Sequence, residues 1–111
     1  MRLVWHDDGV MQTTWFSGAA DEFVVCSRAA FEGGAEVLHT QNGISIDLRG
    51  NKVVAQTKME IHQRANVEGV LCDCVCAGRF YDLFEKRSGL WGMLVLICHP
   101  RSKEVRAAIF P

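Results

Sequence analysis

The chain has 111 residues, 49% of them hydrophobic, and 12 Lys and Arg against 13 Asp and Glu, a net charge of −1. That size suits one domain, residues 1–111, with a core of its own; the charge balance supplies no basic face for nucleic acid, and no apolar run approaches the roughly 20 residues of a membrane-spanning helix. The start turns acidic at Asp7-Asp8, too soon for a secretory leader, so the five cysteines are expected as free thiols in a reducing cytoplasm.

Residues 10–16 are the first strand candidate. Ser17-Gly18 then leads into a helix with Asp21 and Glu22 in its first turn, where negative charge suits the positive helix end. Ala20, Phe23, Val24, Ser27, Ala30 and Phe31 recur at helical spacing and form one apolar stripe. Gly33-Gly34 ends the helix.

After the glycines the period changes to two. Residues 36–48, 53–64, 70–86 and 90–98 read as strands, turned at Arg49-Gly50-Asn51-Lys52, Asn66-Val67-Glu68-Gly69 and Arg87-Ser88-Gly89. Strands this long in a chain this short must bend, and Gly43 and Gly78 are the expected bend points. The predicted fold is α+β: a curved antiparallel sheet of about four to five strands, with one or more helices packed on its concave face.

Alternation places Phe80, Asp82 and Phe84 on one face of the third long strand, and Arg79, Tyr81, Leu83 and Glu85 on the other. Arg79 and Asp82 therefore cannot pair simply; Arg79 is expected as structural or at the sheet interface, and Asp82 as a pocket or hydrogen-bonding group. On the first long strand, strict alternation groups His39, Gln41, Gly43, Ser45 and Asp47 against Thr40, Asn42, Ile44, Ile46 and Leu48. An imidazole on such a polar row can take a proton beside a carbonyl or hydroxyl near neutral pH; the bland alternative is a strand histidine on a wet face. Asp7 and Asp8 point opposite ways on an extended segment and are expected to cap or turn the chain. Trp15 and Phe16 suit a core or a pocket wall.

Cys72, Cys74 and Cys76 share one strand face. Their spacing fits neither zinc knuckles nor a disulfide, so they read as small buried side chains. His62 falls with Gln56, Lys58, Glu60 and Arg64 on a solvated or subunit-contact face. No phosphate loop, nucleophile elbow or His-x-x-x-His pair is present.

The passage from Gly78-Arg79-Phe80-Tyr81-Asp82 through the charged turn to Trp91 resembles the C-terminal hairpin of SnoaL-like proteins in the nuclear transport factor 2-like superfamily. Trp5-His6-Asp7-Asp8-Gly9-Val10, His39-Thr40-Gln41-Asn42-Gly43 and Asn51-Lys52-Val53-Val54-Ala55-Gln56-Thr57 resemble further family passages in the same order, over residues 3–96. The family's tyrosine is replaced by Phe80, and the last strand departs at Trp91-Gly92-Met93. Met1 falls where the helices that close the family's cone would be ending, so the Tyr and Asp those helices supply in several enzymes have no counterpart to assign.

The resemblance implies a cone that binds a small organic molecule. Where such proteins are enzymes, it implies acid/base chemistry without metal or cofactor: dehydration, isomerisation or cyclisation, with His39 as general base. The expected ligand-binding residues are Trp15, Phe23, Gln41, Phe80 and Asp82. A non-catalytic ligand carrier or dimerising module is the alternative. The resemblance also implies a homodimer through the outer sheet face, the row with Arg79 and Tyr81.

Overall fold

The computed structural model describes the backbone of residues 2–107 and the side chains of residues 3–101. Met1 and the side chains of Lys103 and Arg106 lie outside the described residues. A short 3-10 turn (Arg2–Val4) leads into β1 (Trp5–Gln12) and β2 (Ser17–Ala19). The helix α1 (Ala20–Glu32) follows, then four long strands: β3 (Glu36–Arg49), β4 (Lys52–Val67), β5 (Val70–Arg87) and β6 (Leu90–Ala107). They form one six-stranded sheet in the order β2-β1-β6-β5-β4-β3.

The predicted meander β3 to β6 is present and antiparallel throughout. The sheet as a whole is mixed, because β1 pairs parallel to β6. The strand expected at residues 10–16 starts earlier, at Trp5, and stops at Gln12. Thr13 then turns the chain, its Oγ1 accepting from the Phe16 N–H at 3.0 Å. The last strand runs on to Ala107 rather than ending at Cys98. Beyond Ile97 it has lost β1 as a neighbour, so it is an edge strand there, and an edge tolerates Pro100.

α1 is closed by the predicted glycines. Gly34, at φ +93°, lets its N–H bond Phe31 O at 3.0 Å and the Ala35 N–H bond Ala30 O at 3.1 Å, the paired bonds of a Schellman end. The helix packs mainly on β1 and β2, burying Ala20 and Ser27, half-burying Phe23 and Val24, and leaving Ala30 and Phe31 exposed. Trp5, Met11 and Ala20 form the core there, with Phe16, Phe23, Met93 and Leu96 packed against them.

Both expected bends are real. The β5–β6 register shifts at Ala77/Gly78, where a Cβ on Gly78 would run into the backbone of His99 and Pro100. The β3–β4 register shifts between Gln41 and Ile44, around Gly43 at φ +124°. That second bulge corrects the predicted alternation on β3. One extra residue reverses the phase, so His39 and Gln41 share their face with Ile44, Ile46 and Leu48, while Ser45 and Asp47 point to the other side.

Candidate functional site

The helix-side face of the sheet is a set of rungs that cross the strands. Moving along β5, they are His39–Ile61–Cys76, Gln41–Met59–Gly78, Ile44–Thr57–Phe80–Cys98, Ile46–Ala55–Asp82–Leu96–Met11 and Leu48–Val53–Phe84–Met93–Trp5. The β1 end is covered by α1 and belongs to the core. The β3 end is uncovered, with Ile44 and Ile46 each 61% and Leu48 60% exposed. Between the ends lie Ala55, Thr57 and Met59, all buried, and Phe80, half-buried.

The predicted site residues divide into three places. Trp15 sits on the β1–β2 turn, 61% exposed, and its ring packs against Phe23 and Phe16 at centroid distances of 5.7 and 5.8 Å. Phe80 and Asp82 lie on the sheet floor. His39 and Gln41 lie exposed on the edge strand. Six residues of β5 separate the rung of Asp82 from that of His39, about 20 Å of strand, and two strand spacings lie across. The imidazole and this carboxyl therefore do not meet, and His39 makes no side-chain hydrogen bond among the described residues.

Asp82 is the most unusual group on this face. It is 8% exposed, and its Oδ1 is sealed from solvent with no hydrogen-bond partner. Burial pushes its carboxyl up from 3.8 to about 6. Burial also raises the Cys98 thiol, with smaller contributions from Cys76 and Asp82.

The other face is conventionally paired. Arg79 Nη1 donates to Gln56 Oε1 at 3.0 Å, so it turns away from Asp82 as the alternation predicted. Arg64 forks onto Asp73 at 2.7 and 3.1 Å. His62 Nε2 lies 3.2 Å from Glu60 Oε2, and Tyr81 packs edge-on to His99. At the β5–β6 hairpin, Arg87 bonds both oxygens of Asp8 at 2.7 and 3.1 Å and Glu85 at 2.8 Å. Its guanidinium holds both carboxyls below their usual range. Asp8 is thus a tie from β1 to the hairpin rather than a cap. Nothing local in the sequence signals a pair 79 residues apart.

A groove of about 620 Å³ opens under the C-terminal end of α1, lined by Ala30, Gly33, Gly34, Glu36, Gln63 and Asn66 among others. None of the predicted site residues lines it; His39 is one rung from its wall at Gln63. Thr57 is the buried polar residue that the sequence reading passed over. Its signal was available, since it alternates with the solvated row Gln56, Lys58 and Glu60. The five cysteines are free, with Cys72 buried and Cys74 and Cys76 half-buried. No three metal-ligating side chains converge among the described residues, and no helix there is long and apolar enough to cross a membrane.

A strongly bent sheet with an apolar inner wall and a helix packed at one end of it is the cone of the nuclear transport factor 2-like α+β proteins. Solved structures share it. A LinA-type3 hexachlorocyclohexane dehydrochlorinase from Novosphingobium barchaimii superposes with a TM-score of 0.76 at 14% identity, over 96% of this chain and 74% of that one. A putative scytalone dehydratase from Novosphingobium aromaticivorans gives 0.73 at 17% identity, over 96% and 74%.

The model of the SnoaL-like domain matches residues 1–96, and the chain belongs to that family. Among curated proteins, it is similar to pea pathogenicity protein 2 of Fusarium vanettenii, 34% identical over 80% of this chain and 40% of that protein. A PEP2-like protein of the same fungus is 33% identical over 97% of this chain and 49% of its own length. The chain thus spans less than half the length of these curated relatives.

Proposed function

We propose that this protein binds a small, largely apolar organic molecule on the concave face of its sheet. The observation that carries the reading is the run of Ile44, Ile46 and Leu48, which faces the helix side yet stays uncovered beside Ala55, Met59 and Phe80. Exposed apolar surface inside a concavity, punctuated by a few polar groups, is the common form of a small-molecule site. Here those polar groups are Gln41, Thr57, Asp82 and His39.

The test is chemical-shift mapping with 2-ethylnaphthalene. Shifts should concentrate on Ile44, Ile46, Met59 and Phe80, and Ile46→Lys should abolish them. Shifts centred on outer-face residues such as Val54 and Leu83 would overturn the reading.

A second reading adds catalysis. His39 is exposed on the same sheet face, two rungs from Ile44, and two structural neighbours are named for eliminations, a dehydrochlorination and a dehydration. In such a step the imidazole would remove a proton from a carbon beside a leaving group, with no cofactor. Once a turnover is found, His39→Gln should reduce it by the 10²–10⁴-fold typical of a lost general base, about that order; unchanged turnover removes His39 from the mechanism.

A homodimer through the outer face completes the proposal. Val54, Tyr81 and Ile97 are exposed there around half-buried Leu83 and Val95, and the free thiols suit a reducing cytoplasm.

A further inference from the structure

Asp82 is the buried carboxylate of this face, and among the described residues it has neither a cation nor a hydrogen-bond donor. Its rung neighbours are Ala55 and Leu96, and its neighbours along β5 on the same face are Phe80 and Phe84. Oδ1 is sealed and Oδ2 is not, and among the described residues no hydrogen bond is made to either oxygen. The carboxyl therefore presents one open oxygen from an otherwise apolar floor. A buried polar group left without a partner costs more than an apolar side chain of the same shape, so an unpaired carboxyl here serves packing poorly.

The charged groups of the adjoining elements face elsewhere. Cys98, one rung away, is the nearest titratable side chain on this face, and His39 lies three rungs off. On α1, Asp21, Glu22 and Arg28 are exposed. On β1, Asp8 is held by Arg87, His6 donates to the Glu85 carbonyl, and Asp7 is exposed. On β4, Lys58 and Glu60 lie on the opposite face. Among the described residues, no fixed positive charge favours an ionised Asp82.

We infer that Asp82 recognises a ligand oxygen: in its neutral form, the carboxyl donates from Oδ2 to the carbonyl, quinone or phenolic oxygen of an otherwise apolar ligand on the concave face. The inference rests on the binding reading above and deepens it by naming the ligand class, an apolar body with one acceptor oxygen. A cationic ligand would instead pair with the ionised carboxylate and bind better at pH 8 than at pH 5, the opposite of the trend expected here. Burial already shifts the free carboxyl toward its neutral form, and an acceptor placed on its proton shifts it further. Binding is therefore coupled to proton uptake above about pH 6.

The test compares 2-acetylnaphthalene with 2-ethylnaphthalene, alike in size but differing in the oxygen. Affinities are measured by calorimetry at pH 5 and pH 8 for the wild type, Asp82→Asn and Asp82→Leu. The ketone should bind wild type roughly 3–10-fold better than the hydrocarbon at pH 5, the worth of one hydrogen bond, with the advantage shrinking at pH 8. Asp82→Asn, which keeps an N–H donor at every pH, should hold the advantage at both values, and Asp82→Leu should lose it at both. Binding of the hydrocarbon with the same ketone-to-hydrocarbon ratio in all three proteins would overturn the role of Asp82 and leave the apolar site standing. Failure of the hydrocarbon itself to bind would overturn the site and this inference together.

Discussion

Replacing Asp82 with asparagine keeps the shape of the side chain and removes its ionisation, and should stabilise the protein at neutral pH. The folded carboxyl titrates at about 6 instead of 3.8 because it is buried. Between those values the native state holds a proton that the unfolded chain has already released, so stability falls as pH rises. The favourable contribution is fully present below pH 3.8 and is gone once pH has passed about 6. At about 1.4 kcal/mol per pH unit, the difference amounts to about 3 kcal/mol. With Oδ2 left open, solvent reduces this, and about 1.5–3 kcal/mol is the expected range. Urea unfolding of both proteins from pH 3.5 to 8 measures it. Wild type should lead by about 1 kcal/mol at the acid end, and the variant should overtake it between pH 4 and 7 and then stay ahead in parallel. The variant's unpaired amide adds a constant offset of about 1 kcal/mol against it, so the pH dependence of the gap is the decisive quantity. A gap that does not change with pH would refute the isolation of this carboxyl.

Gly92→Ala should destabilise by about 1–3 kcal/mol by overpacking, because a Cβ there would lie 2.7 Å from the His6 ring; combining it with His6→Ala should recover most of the loss in a double-mutant cycle. At Gly43, where a side chain would meet nothing within 4 Å, valine should still cost about 1–3 kcal/mol through backbone strain. It should also disturb the Gln41–Met59 and Ile44–Thr57 cross-strand contacts seen by NMR. Ile97→Lys on the outer face should convert the proposed dimer to monomer in light scattering without lowering the melting temperature by more than a few degrees.

Much of the fold was legible because its causes are local. The helix followed from apolar spacing ended by Gly33-Gly34. The hairpins followed from turns such as Ser88-Gly89, whose positive φ angles of 50° and 79° match the twist of the flanking strands. Strict period two carried β4 and β5 correctly, and with them the opposed faces of Arg79 and Asp82. Gly43 and Gly78 were recognisable as bends, since a glycine inside a strand costs stability unless the backbone needs it.

The sequence by itself therefore determined the helix, the four long strands, their order, and a curved sheet with a helix on one side, but neither the bounds of β1 nor the existence of β2. Tertiary structure decided the rest. Whether Gly43 merely bends β3 or also reverses its phase depends on how β4 pairs with it, and that pairing set Ile44, Ile46 and Leu48 beside His39. The parallel placement of β1 on β6, and the Asp8–Arg87 tie that accompanies it, join residues too far apart for any local pattern to encode. The isolation of Asp82 has the same origin: a carboxyl is unpaired only in relation to everything that folds around it, and desolvation is a property of the assembled surroundings rather than of the strand that carries the residue.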